Sequence, residues 1–317
     1  MLKLRVRSVT YEAEGIRSFE LVDPAGGLLP PFDAGAHIDV RIPGGLSRRY
    51  SLCGAPGTRD HYRIAVLKAP NSRGGSQAMH ERVQAGDLIE VSSPHNFFPL
   101  SPDARRSVLL AGGIGITPML AMLEQLRADG RDYELHYCTT SPQRTAFAPL
   151  LAHEVAQGRA HIHHDGGDPR NGLDIAALLK ERADDTHVYF CGPGGFMKAV
   201  QSAAAHWPKE AVHFEYFGAE PIAATTAAPG GAPLEVVLAR SNRTISIDAS
   251  QTILSALRDA GVPCESSCES GVCGACRLGY LKGKPAHTDY LLSDEEHETQ
   301  VLICCATVAE GPLVLDI

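Results

Sequence analysis

The chain has 317 residues, of which 44% are hydrophobic and 21% are charged, and its formal net charge at pH 7 is -8. This length predicts two or three domains, because one hydrophobic core rarely grows beyond about 250 residues. The acidic balance argues against a general binder of nucleic acids or membranes, and no stretch reaches the roughly 18 consecutive apolar residues of a membrane-spanning helix. Residues 1–10 lack the apolar core of a secretory signal, so a cytoplasmic protein is predicted.

Residues 1–102 are predicted to form an antiparallel β-barrel or sandwich. Short runs of alternating apolar and polar residues recur at 17–22, 37–42 and 61–67, and glycines and prolines separate them. Runs of this kind are typical of short antiparallel strands.

Two motifs in this first domain indicate a flavin site. The first is an R-x-Y-S pattern, whose arginine can pair with a phosphate, whose tyrosine can pack against the flavin and whose serine can hydrogen-bond to it. The second is a glycine-rich helix start that would direct free N–H groups at the same phosphate. Each motif alone is more often a plain strand or a plain capped helix, but the two in this order favour a flavin. The candidate residues are Arg48, Tyr50, Ser51, Gly74, Gly75 and Ser76.

Residues 103–223 are predicted to form a Rossmann-like α/β domain. Apolar runs at 107–111, 133–138 and 187–191 alternate with helical patterns. Strands that alternate with helices imply a parallel sheet.

Two glycine-rich turns in this second domain indicate a pyridine-nucleotide site. Each turn follows an apolar run and precedes a helical pattern, which would present a helix N-terminus to a pyrophosphate. The first turn departs from the strict G-x-G-x-x-G fingerprint, and either turn could be an ordinary strand-to-helix connection. The candidate residues are Gly113, Ile114, Gly115, Thr117 and Pro118 in the first turn, and Cys191, Gly192 and Pro193 in the second.

Charges near the expected adenine ribose favour NADH over NADPH. Residues 139–142 contain no arginine, and residues 163–168 bring acidic groups, although Arg144 and Arg170 are close in sequence. A basic cluster would be needed to attract the additional phosphate of NADPH.

Residues 224–233 are predicted to be a linker, because they carry no charge, no large apolar side chain and no periodicity. Residues 234–317 are predicted to form a small third domain. It begins with a hairpin and a short amphipathic helix that leads to a group of cysteines.

The cysteines of this third domain indicate an iron–sulfur cluster. Cys268, Cys273 and Cys276, followed by Cys304, reproduce the C-x4-C-x2-C…C spacing of a plant-type [2Fe-2S] centre. A zinc site would need two C-x2-C-like pairs, and only Cys273 and Cys276 form one. Spacing alone leaves both Cys304 and Cys305 open as the fourth ligand.

With the segments RRYSL, RGGS, AGGIGITPML, CGPGG, HFEYFGAE and CESSCESGVCGAC in this order, the whole chain resembles the phthalate dioxygenase reductase family. The resemblance implies a flavin-binding β-barrel, an NAD-binding α/β domain and a C-terminal β-grasp ferredoxin domain, with FMN, NADH and a [2Fe-2S] cluster as cofactors. It also implies that Cys304 is the fourth ligand. It adds four residues to the flavin site, namely Ala65, Val66, Thr117 and Phe217.

The resemblance further implies an NADH-dependent reductase component of a multicomponent oxygenase. Electrons are then expected to pass from NADH through FMN and the [2Fe-2S] cluster to a terminal oxygenase. The favoured client is a Rieske-type aromatic-ring oxygenase. No catalytic residue beyond the cofactors is expected, and the chain is expected to be a monomer. A demethylase, a cytochrome P450 or a diiron hydroxylase is an alternative client. An iron–sulfur redox sensor is an alternative function.

Overall fold

The computed structural model describes residues 1–43, 45–70, 74–217, 234–248, 251–266, 271, 274–289 and 291–317. The predicted linker and two predicted cluster ligands, Cys268 and Cys273, lie outside these residues. The chain divides into two compact units, Met1–Glu215 and Tyr216–Ile317. Within the described ranges, no helix is long and apolar enough to cross a membrane. The boundaries proposed from the sequence, after residues 102 and 223, stay predictions.

The first part of the Met1–Glu215 unit is an antiparallel barrel. Its elements are β1 (Leu2–Ala13), β2 (Ile16–Val22), β3 (Ala36–Arg41), β4 (Ser47–Ser51), β5 (Tyr62–Leu67), α1 (Gly75–Arg82), β6 (Leu88–Val91) and β7 (His95–Asn96). The strand order is β4-β3-β6-β1-β2-β5, with β7 paired to β3. An antiparallel bridge between Leu52 and Ile64 joins the two ends of the sheet and closes the barrel. Side chains of each strand point alternately into and out of the barrel, and the inward ones fill its interior. In β3, Ile38 and Val40 are fully buried, whereas Arg41 is exposed.

The second part of this unit is a parallel sheet with helices. Its elements are β8 (Arg106–Gly112), α2 (Ile116–Ala128), β9 (Asp132–Thr139), α3 (Ala148–Ala156), β10 (Ala160–His164), α4 (Ile175–Leu179), β11 (Thr186–Cys191), α5 (Gly194–Ala203) and β12 (Val212–Glu215). The order β10-β9-β8-β11-β12 reverses direction between β8 and β11. The carboxyl ends of strands at such a reversal are where open α/β sheets bind ligands.

The sequence pattern did not identify β10 or β12 as strands. Three of the five residues of β10 are histidines, so the continuous apolar run that marks a buried parallel strand is missing. The strand forms because β9 supplies a parallel partner, with His161 opposite His136.

The Tyr216–Ile317 unit contains a mixed sheet. Its elements are β13 (Leu234–Leu238), β14 (Arg243–Ile247), α6 (Ile253–Asp259), β15 (Arg277–Ala286), α7 (Asp294–His297), β16 (Gln300–Leu302) and β17 (Thr307–Leu315). The order is β14-β13-β17-β15-β16, and β13 pairs with β17 in parallel. Helix α6 contributes Ile253, Leu254 and Leu257 to the buried core. The predicted hairpin and amphipathic helix are β13, β14 and α6.

Candidate functional site

Arg48 lies across the N-terminus of α1, where the sequence predicts a phosphate site. A Cβ atom at Gly75 would come within 2.9 Å of Cγ and Nε of Arg48, so a residue larger than glycine would displace the arginine. The first N–H groups of α1 have no acceptor within the helix. A guanidinium and a helix start that meet in this way fit a single phosphate of FMN.

Tyr50 and Ser51 are the last two residues of β4. Tyr50 packs against the barrel core, and the buried Ser51 points to the opposite side of the strand. Ala65 and Val66, on β5, are buried, and the Val66 carbonyl oxygen lies 2.8 Å from Nε2 of His80. The predicted flavin residues of the barrel therefore lie on β4, β5 and the start of α1.

A buried glutamate that the sequence analysis missed lies beside Ser51. Oγ of Ser51 donates a hydrogen bond to Oε2 of Glu215 at 3.0 Å. Burial raises the pKa of Glu215 to about 7, although the hydrogen bond from Ser51 and the charge of Arg49 lower it. A carboxyl group that titrates near neutral pH thus contacts the serine predicted to bind the flavin. The one feature that could have identified Glu215 is its position as an acidic residue at the carboxyl end of a short strand.

The two predicted glycine turns lie in contact at the carboxyl ends of β8 and β11, although Gly115 and Cys191 are 76 residues apart in the sequence. A Cβ atom at Gly115 would lie 2.1 Å from the carbonyl oxygen of Cys191. Gly112 and Gly192 also face each other, with Cα of Gly192 3.2 Å from the position of a Cβ at Gly112. The structure therefore builds one site from the two turns.

A cleft of about 490 Å³ is lined by both the barrel and the parallel sheet. Three of the residues predicted to bind the nucleotide line this cleft, namely Gly113, Ile114 and Pro193. The lining residues that the sequence analysis did not select for either site are Glu14, Ile16, Leu67, Gly112, Cys138, Thr139, Thr140, Arg144, Asp165, Pro169, Ile175, Gly195, Phe196 and Ala199. The size suits an elongated small-molecule ligand.

The other predicted nucleotide residues do not line this cleft. Gly115, Thr117, Pro118, Cys191 and Gly192 pack against the turns or lie in the core. Thr117, predicted for both the flavin and the nucleotide, is 2% exposed and donates its hydroxyl proton to the Ile114 carbonyl at 3.1 Å. These residues support the turns, and their part in binding the nucleotide or the flavin stays a prediction.

Both arginines near the predicted ribose site are paired with carboxylates. Arg144 lies 3.6 Å from Glu14, and Arg170 lies 2.6 Å from Asp168. Asp165 contributes a carboxylate to the cleft itself. These charges are consistent with the predicted preference for NADH.

Two of the four predicted cluster ligands lie among the described residues, and they are neighbours. Cys304 is hydrogen-bonded to Cys276, which lowers the pKa of Cys304. A hydrogen bond with Cys305 and burial raise this pKa, and the overall value is about 12. The backbone of Gly271 also hydrogen-bonds to Cys304. The Cys305 thiol, besides its contact with Cys304, donates to the Leu302 carbonyl at 3.5 Å. Buried thiols and a backbone amide that converge in this way fit a [2Fe-2S] cluster and support Cys304 as the fourth ligand.

Phe217, the aromatic residue that the resemblance places beside the flavin, follows β12 and is 40% exposed. It falls in the Tyr216–Ile317 unit. Its place beside the flavin stays a prediction.

Comparison with known proteins covers the whole chain. Residues 109–202 match the family model of the oxidoreductase NAD-binding domain, and residues 236–309 match that of the 2Fe-2S iron-sulfur cluster binding domain. The chain is 44% identical over 317 residues to phthalate dioxygenase reductase of Burkholderia cepacia, which covers 100% of this chain and 97% of the relative. It is 45% identical over 324 residues to the reductase subunit of tert-butanol monooxygenase / tert-amyl alcohol desaturase of Aquincola tertiaricarbonis, with 100% and 96% covered.

A solved structure of phthalate dioxygenase reductase, described as modular for electron transfer from pyridine nucleotides to [2Fe-2S], matches with a TM-score of 0.78 at 43% identity. The match covers 100% of this chain and 98% of the solved one. The predicted fold class, cofactors and function are therefore confirmed. The chain belongs to the phthalate dioxygenase reductase family and is an NADH-dependent oxidoreductase with FMN and a [2Fe-2S] cluster that passes electrons to an oxygenase.

Proposed function

We propose that this chain reduces a Rieske-type aromatic-ring oxygenase, and that the residues described above hold its cofactors. The observation that carries the site assignment is the cleft in which Leu67 of the barrel faces Gly113 and Pro193 of the sheet. A nucleotide held by the two glycine turns would there meet the flavin-binding barrel. The aromatic client is suggested by the relative from Burkholderia cepacia, whose name refers to an oxygenase of an aromatic dicarboxylate.

FMN held by these residues would supply chemistry that amino-acid side chains lack, namely the acceptance of a hydride from NADH and the release of electrons one at a time. Arg48 and the start of α1 anchor the phosphate end of the flavin, and Tyr50 packs against it. The turns that begin at Gly113 and Pro193 hold the dinucleotide in the cleft. The protein thus contributes orientation and the exclusion of water.

Ser51 and Glu215 are proposed to control one hydrogen bond to the flavin. When Glu215 is ionised, its carboxylate accepts the hydroxyl proton of Ser51 across the 3.0 Å contact. When Glu215 is protonated, it can instead donate to Oγ of Ser51. The hydroxyl proton of Ser51 is then free to point at the flavin. The protonation state of Glu215 therefore sets the direction of this hydrogen bond.

Arg48→Ala is expected to weaken FMN binding by about tenfold or more, because a charge-assisted hydrogen bond contributes about 1.5–3 kcal/mol. The measurement is fluorescence titration of FMN into flavin-depleted protein. Arg41→Ala is the matched control, since Arg41 is an exposed arginine on neighbouring β3 that pairs with Glu90 at 2.6 Å. Equal FMN affinity in the two variants, or release of FAD from the native protein, would contradict the phosphate assignment.

The client is tested by anaerobic reduction of candidate acceptors with NADH and catalytic amounts of the chain. The Rieske centre of an aromatic-ring oxygenase is expected to be reduced rapidly. A cytochrome P450 offered under the same conditions is expected to react at least tenfold more slowly. Faster reduction of the P450 would instead support the alternative client.

The oxygenase is proposed to dock on the Tyr216–Ile317 unit at a cleft of about 400 Å³ that Cys276 lines. Val262, Pro263 and Ile303 make part of the lining apolar, and the exposed Glu265 contributes an acidic group. A surface that reaches a cluster ligand gives electrons a short path to the acceptor. Glu269, a second acidic residue in this segment of the sequence, lies outside the described residues.

Glu265→Lys is expected to slow electron delivery to the oxygenase severalfold at low salt, because association with a basic partner depends on charge attraction. Glu181→Lys is the matched control, since it makes the same charge change on an exposed residue of the Met1–Glu215 unit. Steady-state rates at rising ionic strength provide the measurement. If neither Glu265→Lys nor salt changes the rate, the oxygenase docks elsewhere.

A further inference from the structure

Two histidines and an aspartate come together between β15 and β16, and the function described above uses none of them. Nε2 of His297 lies 2.9 Å from Oδ1 of Asp289, and Nδ1 of His287 lies 3.8 Å from the same oxygen. The two imidazole rings stack with their centroids 4.0 Å apart. One donor atom from each residue lies within 4.8 Å of the other two.

The Asp289 carboxylate is fixed in place. Its side chain is fully buried, and Oδ2 accepts the backbone N–H groups of Leu291 at 3.3 Å and Leu292 at 2.8 Å. Its other oxygen, Oδ1, is left facing the two histidines. The carboxylate is thus oriented before any ligand arrives.

His287 presents a nitrogen that lacks a partner in the described part of the chain. Nδ1 of His287 is buried without a hydrogen bond, and 3.8 Å is too long for one to Asp289. The ring hydrogen-bonds to the backbone of His297, so its N–H is used there and Nδ1 carries a lone pair. Burial, and then the neighbouring His297, lower the pKa of His287, which favours the neutral form of the ring. A lone pair that faces a carboxylate oxygen is repelled unless a cation lies between them.

The spacing also accommodates a metal ion, which would replace the 2.9 Å hydrogen bond between Nε2 of His297 and Oδ1 of Asp289. Ligand atoms bonded to zinc at about 2.0–2.1 Å in a tetrahedral site lie about 3.3 Å apart. The two distances to Oδ1, 2.9 and 3.8 Å, lie on either side of that value. Metal-bound histidines usually donate their other N–H to a backbone carbonyl or a carboxylate, as the ring of His287 does to His297.

We propose that His287, Asp289 and His297 bind one divalent first-row transition-metal ion, with Zn²⁺ the best match, and that water completes its coordination. Two imidazole nitrogens and one carboxylate oxygen are a donor set that Zn²⁺ accepts. This His-Asp-His site uses none of the cluster cysteines.

The His-Asp-His site lies against the loop that the cluster ligands define. A Cβ atom at Gly271 would be 3.0 Å from Cα of Asp289 and 2.7 Å from Sγ of Cys305. The hydroxyl of Thr288 also donates to the Cys305 carbonyl at 2.5 Å. A metal ion here would tie the segment after β15 to α7, next to Gly271.

The test counts metal in the full-length holoprotein. The protein is dialysed against EDTA and then equilibrated with Zn²⁺, and zinc and iron are measured together. About one zinc per chain is expected in the native protein. At least tenfold weaker binding is expected in both His287→Ala and His297→Ala, with unchanged iron content in each. His206→Ala, which removes a histidine from the Met1–Glu215 unit, is the matched control and is expected to bind zinc as the native protein does.

Further readouts separate this site from adventitious binding and from misfolding. X-ray absorption at the zinc edge is expected to show nitrogen and oxygen ligands only. Zn²⁺ is expected to raise the unfolding temperature of the native protein but not that of His287→Gln, which is used because it preserves much of the side-chain volume. Sulfur ligands to zinc, zinc binding that survives both histidine substitutions, or no zinc uptake at all would overturn the proposal.

Discussion

Cys304→Ala is expected to abolish the electron paramagnetic resonance signal of the reduced [2Fe-2S] cluster and to reduce electron delivery to the oxygenase to background. The cause is the loss of the fourth thiolate, since Cys304 is hydrogen-bonded to Cys276 and receives a hydrogen bond from the backbone of Gly271. Alanine is preferred to serine because a serine oxygen can replace a thiolate as a ligand. NADH should still reduce the flavin at a rate within about twofold of the native rate, because hydride transfer precedes the cluster.

Cys305→Ala is the matched control, because it removes the adjacent buried thiol. The Cys305 thiol donates to the Leu302 carbonyl at 3.5 Å, so its loss should leave the signal intact. Cys264→Ala should also preserve the signal. Loss of the signal in Cys305→Ala and its survival in Cys304→Ala would show that the ligand assignment is wrong by one residue.

Glu215→Gln is expected to remove the pH dependence of NADH-driven flavin reduction near pH 7. Burial raises the pKa of Glu215 to about 7, so the carboxyl is neutral below that pH and ionised above it. Only the neutral form can donate to Ser51 and release the serine hydroxyl toward the flavin. The native rate should therefore fall as pH rises from 6 to 8, whereas glutamine, which always donates, should hold the rate near its value at low pH. Stopped-flow absorbance at saturating NADH measures this rate.

Ser51→Ala gives the complementary result. Without the hydroxyl, the rate at pH 6 is expected to fall at least about tenfold below the native rate, because a positioned hydrogen-bond donor contributes roughly that much or more to a reaction. At pH 8, where ionised Glu215 already holds the hydroxyl proton of Ser51, the substitution is expected to change the rate little. Glu210→Gln is the control for the loss of a nearby carboxylate, since Glu210 is exposed and precedes β12. If the Glu215→Gln variant keeps the native pH profile, Glu215 does not control the rate of flavin reduction.

The features that could be predicted from the sequence are those set by the spacing of residues close together in the chain. The cysteine motif from Cys268 to Cys276 lies within nine consecutive residues, so its spacing alone indicated the cluster. The two glycine turns were found because each joins an apolar strand to a helix, and the structure places both at the reversal between β8 and β11. The barrel was predicted from the alternation of apolar and polar residues. This alternation is visible in β3, where Ile38 and Val40 are buried.

The rest depends on contacts between residues that are distant in the sequence. Ser51 and Glu215 are 164 residues apart, and neither belongs to a motif that names the other. The barrel side of the cleft, which includes Leu67, exists only because the barrel packs against the sheet. Thr117 was predicted as a ligand because it follows the first turn, but the start of α2 is buried and directs its hydroxyl back to Ile114.

The central claim, that electrons pass from NADH through the flavin to the [2Fe-2S] cluster, is tested most directly by an anaerobic titration of the purified protein with NADH alone. Flavin absorbance and the cluster resonance are followed in the same samples. Bleaching of the flavin together with growth of the reduced-cluster signal, without any added dithionite, is the predicted result. A flavin that bleaches while the cluster stays oxidised, although dithionite reduces it, would contradict the claim.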